Sequence, residues 1–359
     1  MKVLHISFVP IELFGVRNKI AAQIKAFRKN KESVSEAGYC EKGFFVDQKR
    51  IFPMYFTNVF LRKIPEIYIV LRLIFINYNQ YDIVYIRYMR LTPWFYSFIK
   101  FMKNDRFKLV LEVATYPYDE EYKPGILTSL DKYYRSKLCK YVDLITYFGE
   151  SNKNIWGIPA IKQENGVDVD SVPLKVATEN DTIINFIAVA NLSEWHGYDR
   201  FIRSITQCKA PQDICFNIVG LGPSFNKLVK LTQELNVENS VKFHELKYGD
   251  SLTSLFNEAH IGVGSLGLYR IGHETLSPLK PAEYCARGLP FVLGNMDERF
   301  SDSPFLYRVS NDDTTFDIDD IVKWYKSTEF DPARIRKFAY ENLSWDRQVS
   351  KLTAEIRKS

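Results

Sequence analysis

The strongest constraint on the fold of this chain is a repeated alternation of short apolar runs with stretches of helical periodicity. Residues 3–8 are apolar and rich in β-branched side chains, and apolar residues then recur at helical spacing from Val16 to Phe27. Further apolar runs follow at 83–86, 109–113 and 144–147. This rhythm is typical of a parallel sheet that helices cover on both faces.

A polar segment at 168–181 interrupts the rhythm, which then restarts. The strands expected after it are Ile183–Ala190, Ile214–Val219, Val241–Phe243, Ile261–Ser265 and Leu289–Leu293. The pattern predicts two doubly wound α/β domains, 1–172 and 180–343, and an amphipathic helix at 333–357 whose end, from about 344 to 359, packs back on the first domain. Residues 31–60 suit either a hairpin or an irregular excursion. Ligands of open α/β sheets bind at the carboxyl ends of strands, so a cleft between the domains is the expected site.

Composition excludes several classes of protein. The net charge of +5 is dispersed, which argues against nucleic-acid binding, and the five cysteines contain no CxxC pair. Met1 leads directly into a strand pattern, and the most apolar stretch, 67–76, is interrupted by Arg72 and is too short to cross a bilayer. We therefore expect a cytoplasmic protein, at most attached to the inner face of the cell membrane.

The segment 264–292 carries the most chemical information. A strand ends near Ser265, a polar loop follows, and a helix is expected to begin near Leu279–Pro281, where proline suits the first turn. The first turn of a helix offers free amides and a positive dipole end to an anion such as a diphosphate. Lys280 adds a positive charge there, and Glu283 lies one turn further on, where a carboxylate can accept bonds from ribose hydroxyls.

This segment resembles the donor-binding signature of the family-4 retaining glycosyltransferases, which have the GT-B fold. In that family a Glu, seven residues and a second Glu precede an Ala-x-Gly-x-Pro element, which matches Glu283 and 286–290 here. The position of the first Glu holds Thr275, with Glu274 beside it, so this chain departs from the pattern. Residues 277–280, Ser-Pro-Leu-Lys, resemble the corresponding segment of related capsule and exopolysaccharide enzymes.

Three further segments resemble the same family. Residues 165–168, Asn-Gly-Val-Asp, are similar to the turn that leads out of the first domain. His196 and Gly197 stand where the family places a Lys-Gly pair on the donor phosphates, while the family's phosphate-binding Arg has no counterpart. The turn at 218–222 contains Gly220 and Gly222 and resembles the turn beside the nucleotide base.

In the first domain, residues 112–119 resemble a Glu-x-x-Thr-Tyr-Pro-Tyr stretch of polysaccharide enzymes, and Arg87 stands near the place of a family His. The resemblance implies three sets of site residues and no metal. They are Glu112, Arg87 and Glu274 as catalytic residues; His196, Gly197, Gly220, Gly222, Arg270, Thr275, Ser277, Leu279, Lys280 and Glu283 as donor-binding residues; and Gly15, Tyr116 and Tyr118 as acceptor-binding residues.

Each candidate also has a purely structural interpretation. Lys280 and Glu283 are spaced for a surface ion pair, and Glu112 at a strand end suits a hydrogen-bond anchor. His196 suits a solvated loop, and Gly15 suits the geometry of a turn. The pattern Asp-Val-Asp at 168–170 resembles a manganese motif of the other glycosyltransferase fold, but two carboxylates alone make an incomplete site.

The resemblance implies transfer of a hexose from a nucleoside-diphosphate sugar to a hydroxyl of a glycan or polyprenyl-diphosphate-linked acceptor. It also implies retention of configuration, no cofactor, and a role in cell-surface polysaccharide synthesis. The alternatives are a sugar-nucleotide epimerase of the same build and a non-catalytic nucleotide- or glycan-binding protein. Residues 53–72 and 100–108 mix basic with aromatic side chains. This pattern suits contact with an anionic bilayer surface. It suits equally a core helix whose long cationic side chains extend to solvent. The donor sugar, base, acceptor, linkage and oligomeric state stay open.

Overall fold

A computed structural model describes residues 1–47, 49–119, 125–176 and 182–358. The chain forms two compact units, Met1–Glu164 with Trp345–Ser359 (unit 1) and Asn165–Ser344 (unit 2). The first division falls at the Asn-Gly-Val-Asp motif. The end of the predicted polar segment, residues 177–181, lies outside the described residues. This range includes residue 180, the predicted start of the second domain.

The elements follow the predicted alternation closely. Unit 1 contains β1 (Lys2–Ser7), α1 (Phe14–Lys29), β2 (Ser33–Cys40), β3 (Gly43–Val46), β4 (Lys49–Phe52), α2 (Val59–Leu73), β5 (Ile83–Arg87), α3 (Pro93–Met102), β6 (Lys108–Tyr116), α4 (Ile126–Arg135), β7 (Leu144–Gly149), β8 (Asn154–Ile155) and β9 (Ile158–Gln163). Unit 2 contains β10 (Ile184–Val189), α5 (Tyr198–Ile205), β11 (Ile214–Val219), α6 (Phe225–Glu234), β12 (Val241–His244), α7 (Gly249–Glu258), β13 (Ile261–Val263), α8 (Leu279–Arg287), β14 (Phe291–Leu293), β15 (Leu306–Arg308), α9 (Ile318–Ser327) and α10 (Pro332–Phe338). The last helix, α11 (Trp345–Lys358), belongs to unit 1. None of the described helices combines the length and the apolar character that a bilayer crossing requires.

The sheet of unit 1 has the order β4-β3-β2-β1-β5-β6-β7-β9-β8. Six neighbouring strands, from β2 to β9, are parallel, while β3, β4 and β8 pair antiparallel at the edges. The hairpin interpretation of residues 31–60 is therefore confirmed for β2 to β4. Side chains alternate between faces, so Leu4 and Ile6 pack under α2 and α3, whereas Val3 packs under α1 and α11.

The C-terminal helix α11 packs on unit 1, as predicted. Its buried residues Trp345, Val349, Leu352 and Ile356 recur at helical spacing and join the same cluster as Val3. The single helix predicted at 333–357 is wrong, because the segment forms α10, a π-helical stretch Ala339–Leu343 and α11. Ser344 has an extended backbone, with ψ of 144°, so the helical stretch that ends at Leu343 does not continue directly into α11.

The six strands of unit 2 are all parallel, in the order β12-β11-β10-β13-β14-β15. The chain moves outward from β10 to one edge and then returns to place β13 on the other side of β10. Strand order therefore reverses between β10 and β13, and such a reversal opens a crevice at the carboxyl ends of the two strands. The sixth strand, β15, was not predicted because its three residues carry no clear apolar run.

Candidate functional site

Two loops meet at this crevice in unit 2, one after β10 (190–197) and one after β13 (264–278). The amide of Leu266 donates to the carbonyl of His196 at 2.9 Å. Gly197 has a φ of +67°, and a Cβ at this position would lie 2.7 Å from the amide nitrogen of Gly267. A glycine is therefore required at 197 for the loops to approach, and the structure brings the predicted His196-Gly197 pair to the crevice.

Lys280 lies at the same place, in the first turn of α8. Its Nζ is 3.1 Å from the hydroxyl of Tyr198 and lies 5.7 Å and 5.5 Å from the ring centroids of Trp195 and Tyr198. Burial lowers the pKa of Lys280 to about 7, although the charge of Glu283 acts in the opposite direction. An anion that binds beside this amine would raise its pKa and favour the protonated form.

The amino end of α8 is open to a ligand. Its N-cap residue is Pro278, and no side chain of the described residues caps the first turn. Asn165 Nδ2 donates to the Ser277 carbonyl at 2.7 Å and Arg299 Nη2 donates to the Pro278 carbonyl at 2.8 Å, so both bind the preceding carbonyls and not the amides. The first amides of an α-helix lack intrahelical partners, so those of α8 can bind an anion.

His196 is buried between the rings of Trp195 and Tyr198, with centroids 3.7 Å and 5.3 Å away. Its Nδ1 accepts a bond from the backbone amide of Ser193 at 3.1 Å. Burial first, and then the charge of Lys280, lower the pKa of His196 well below its usual value. The ring is therefore neutral, and since Nδ1 accepts, we assign the proton to Nε2, which can donate to a phosphate oxygen.

Glu283 does not form the surface ion pair with Lys280 that was its structural alternative. Its Oε1 instead accepts two bonds from Arg287, from Nε at 3.1 Å and from Nη2 at 3.0 Å. The side chain keeps 37% of its exposure, so the carboxylate is accessible to a ligand.

The guanidinium of Arg270 bonds to groups of unit 2. It forms two bonds of 2.8 Å with the Asp199 carboxylate, one of 2.6 Å with Asp313, and one of 2.8 Å with the Glu194 carbonyl. The bonds to Asp199 are the main reason that its pKa lies above the usual value. All three nitrogens are engaged, the third with the hydroxyl of Tyr269. These bonds hold the loop after β13, and the donor contact of Arg270 stays a prediction.

The remaining loop residues lie between β13 and α8. Glu274 is exposed, and its carbonyl accepts a bond from the amide of Met296 at 2.9 Å. Thr275 forms a bridge with Met296, Ser277 is buried, and Leu279 is exposed at the start of α8. Their contacts with a donor stay predictions.

Gly220 and Gly222 are explained by close packing. Their φ values are +126° and +154°, and a Cβ would lie 2.0 Å from the Ala190 carbonyl oxygen or 2.4 Å from the backbone nitrogen of Leu192. The Gly-x-Gly turn thus lets the chain after β11 lie against the loop after β10. Contact with a nucleotide base stays a prediction.

In unit 1, Glu112 and Arg87 form a buried pair. Glu112 is fully buried and accepts bonds from Arg87, from the hydroxyl of Tyr85 at 2.7 Å and from Gln23 Nε2 at 3.0 Å. Burial alone raises the pKa of Glu112, but the charges of Arg87 and Lys19 outweigh it and lower the pKa to about 2. With no exposed surface and both oxygens bonded, Glu112 fits the hydrogen-bond anchor that was its structural alternative. The catalytic roles of Glu112 and Arg87 stay predictions.

Two members of this cluster were missed in the sequence. Lys19 on α1 is buried with its Nζ 3.3 Å from the ring centroid of Phe148, and burial lowers its pKa to about 7. His5 on β1 is buried beside Tyr85, and burial lowers its pKa to about 4. The signal was present, because polar residues stand at inward positions of an apolar strand and of an amphipathic helix.

The three predicted acceptor residues differ in accessibility. Gly15 is exposed in the first turn of α1, and a Cβ there would meet nothing within 4 Å. Tyr116 is half-buried, with its ring 5.7 Å from that of Tyr147. Tyr118 is buried against Tyr88, with ring centroids 5.2 Å apart, and its acceptor contact stays a prediction.

Solved structures share this fold over nearly their whole length. Sucrose-phosphate synthase from Thermosynechococcus elongatus is 11% identical, with coverage of 100% of this chain and 98% of its own and a TM-score of 0.64. A glycosyltransferase from Rickettsia africae is 14% identical, with coverage of 99% and 97% and a TM-score of 0.64. HepE from Anabaena, solved with UDP and glucose, is 11% identical, with coverage of 100% of both chains and a TM-score of 0.64. This chain has the GT-B fold. The predicted fold class is confirmed.

Within the GT-B fold, unit 2 carries a match to a sequence family. The family described as "Glycosyl transferases group 1" matches residues 175–302, a range that includes the loops after β10 and β13 and helix α8. No curated protein sequence matches the chain.

Proposed function

We propose that this protein is a glycosyltransferase that moves a hexose from a nucleoside-diphosphate sugar to a hydroxyl of a glycan or lipid-linked glycan. One observation carries the proposal. The uncapped amino end of α8 and the amino group of Lys280 lie together at the crevice of unit 2. A diphosphate leaving group develops negative charge, and preorganised amides and a cation stabilise that charge.

Different groups of the site bind different parts of the donor. The amides of α8 and Lys280 bind the diphosphate, while the neutral ring of His196 donates from Nε2 to a phosphate oxygen. Glu283, still accessible beside Arg287, accepts bonds from the ribose hydroxyls. Glu274 and Thr275 lie in the loop before α8, where they contact the transferred hexose.

The comparisons support this chemistry. The family match covers the loops that carry the site, and HepE was solved with UDP and glucose. We therefore propose UDP as the nucleotide of the donor. We also propose that the chain belongs to the family-4 enzymes, retains the anomeric configuration, works without a metal ion, and serves cell-surface polysaccharide synthesis with a polyprenyl-diphosphate-linked acceptor.

The test is a donor panel of UDP-, GDP- and ADP-hexoses, with and without polyprenyl-diphosphate-linked acceptors. We expect release of nucleotide that depends on acceptor, persists in EDTA, and gives a product of the same anomeric configuration by proton NMR. Interconversion of donor sugars without transfer would instead establish an epimerase. Nucleotide binding without transfer or hydrolysis of any donor would establish a binding protein.

A further inference from the structure

Helices α2, α3 and α4 cover the face of the unit 1 sheet that lies opposite α1 and α11. Helix α2 packs against α3, and Tyr96 of α3 packs against Tyr134 of α4 with ring centroids 4.8 Å apart. The three helices therefore form one continuous layer, which we call the α2–α4 layer.

The outer surface of the α2–α4 layer exposes many large apolar side chains. They are Leu61, Ile67, Tyr68 and Leu71 on α2, Phe75 just after it, Trp94 and Phe101 on α3, and Ile126, Leu127, Leu130 and Tyr133 on α4. Phe75 is 83% exposed and Ile126 is 82% exposed. On α4 the apolar positions lie opposite the buried Thr128, Asp131 and Arg135, so they form one outward stripe. A contiguous apolar surface of this kind marks a contact with another phase or molecule.

The charges on the layer indicate what it contacts. Within the described parts of the three helices, the exposed charged residues are Arg72, Lys100 and Lys132, and all are basic. The acidic residues of these helices, Glu66 and Asp131, are buried. Apolar side chains whose exposed charged neighbours on the described parts of these helices are cations match a surface with an acyl interior and anionic headgroups.

Residues beside α4 extend this pattern. Lys137 places its Nζ 3.6 Å from the ring centroid of Tyr133, at the end of the apolar stripe. Asp119, which precedes α4, pairs with Arg135 and lies 3.7 Å from Lys132, so it offsets only part of the positive charge. Lys108 of the predicted basic run lies elsewhere, because its Nζ donates to the Ile356 carbonyl of α11 at 2.9 Å.

We propose that the α2–α4 layer docks on an anionic lipid bilayer. The apolar side chains enter the boundary between headgroups and acyl chains, and the basic side chains contact lipid phosphates. The proposal does not depend on sugar transfer, because no residue of the layer belongs to the site in unit 2. It would place unit 1 at the surface where lipid-linked acceptors reside.

Sedimentation of the full chain with large vesicles tests this proposal. We expect binding to vesicles of phosphatidylcholine mixed with phosphatidylglycerol, weaker binding to phosphatidylcholine alone, and loss of the difference at high salt. Arg72→Gln and Lys100→Gln should each weaken binding about fivefold, because each cation contributes near an anionic surface. Ile126→Asp with Leu127→Asp should abolish it.

The matched control is Leu246→Asp, which introduces the same charge at an exposed leucine of unit 2. It should leave vesicle binding unchanged, and all variants should keep the nucleotide affinity and the melting temperature of the wild type. Equal binding to neutral vesicles would overturn the proposal. So would a lack of vesicle binding together with a dimer that Ile126→Asp/Leu127→Asp dissociates in analytical ultracentrifugation, since the layer would then contact a second copy.

Discussion

The amino group of Lys280 lies 3.1 Å from the hydroxyl of Tyr198, so the first turn of α8 is tied to the first turn of α5. This bond holds a cation at the crevice between β10 and β13. Among the described residues, no carboxylate forms an ion pair with Lys280, whereas Arg270 in the neighbouring loop has two. Among the described residues, Lys280 is therefore a basic group that stays available to a ligand.

Nucleotide binding should take up a proton at pH 8. Burial holds the pKa of Lys280 near 7, so the amine is mostly neutral at pH 8 and mostly charged at pH 6. A bound diphosphate favours the charged form, and the site must then gain a proton at the higher pH. Calorimetry with UDP at pH 8, in buffers of different ionisation enthalpy, measures this uptake.

The control for proton uptake is Lys280→Met, which keeps the length of the side chain but cannot titrate. We expect its binding enthalpy at pH 8 to be independent of the buffer. The same uptake in wild type and Lys280→Met would show that another group supplies it.

Two glycines of the predicted site should respond to substitution in opposite ways. Gly197→Ala places a Cβ 2.7 Å from backbone atoms at a φ of +67°, so we expect a loss of about 2 kcal/mol or more in stability and weaker nucleotide binding. Gly15→Ala adds a side chain to an open position in α1 and should stabilise by about 0.5–1 kcal/mol. Thermal unfolding with and without UDP compares them, and an equal response would contradict the loop geometry.

His196 should act as a neutral donor. His196→Ala removes the Nε2 donor and should lower kcat/KM at least about tenfold. His196→Gln places an amide donor near the same position and should retain much of the activity. Because the pKa of His196 is depressed, the pH profile of kcat/KM should show no step that His196→Gln removes. A step near pH 6.5 present only in the wild type would mean that the charged ring is the active form.

Glu112→Gln should destabilise the protein and leave its chemistry intact. The pKa of Glu112 is lowered in the folded chain, so its stabilising effect is present above about pH 4.5 and is lost as the pH falls towards 2. The variant leaves Arg87 and Lys19 without their carboxylate, which costs about 3 kcal/mol at pH 7. Urea unfolding should show a large difference in the free energy of unfolding between wild type and Glu112→Gln at pH 7, and a small difference at pH 3.

The control for this cluster removes the buried cation Lys19 and leaves the carboxylate of Glu112 in place. Lys19→Met deletes a charge that burial disfavours, and its lowered pKa means that the cost is fully present below about pH 7 and fades towards pH 10.5. The variant should therefore be more stable than the wild type at pH 7. Loss of transfer by folded Glu112→Gln, with unchanged donor affinity, would establish a catalytic role for Glu112.

The sequence predicted the fold well because its signals are local. Apolar runs located the strands of both units, and Ile214–Val219 agrees at both ends with β11. The helix start predicted near Leu279–Pro281 also agrees with α8, since proline in the first turn is a local signal. By contrast, the break at Ser344 depends on which unit each side of the helix packs against, and periodicity does not carry that information.

The site was predicted less completely because burial and pairing depend on distant residues. Glu112 resembled a catalytic carboxylate, but its partners Arg87, Tyr85 and Gln23 come from other elements of the chain. Arg270 resembled a free cation of the loop, but Asp199 of α5 neutralises it. The resemblance named His196, Gly197 and Lys280, which the structure brings to the crevice, but only the structure showed which side chains bond to other groups of the protein.

The most direct measurement is the affinity for UDP of Lys280→Ala against a matched control. Lys230→Ala removes an equally flexible cation from an exposed position on α6 and should bind UDP as the wild type does. If α8 and Lys280 bind the diphosphate, Lys280→Ala should weaken binding about 10- to 100-fold, since a charged hydrogen bond contributes about 1.5–3 kcal/mol. Calorimetry that gives the same dissociation constant for all three proteins would contradict the account.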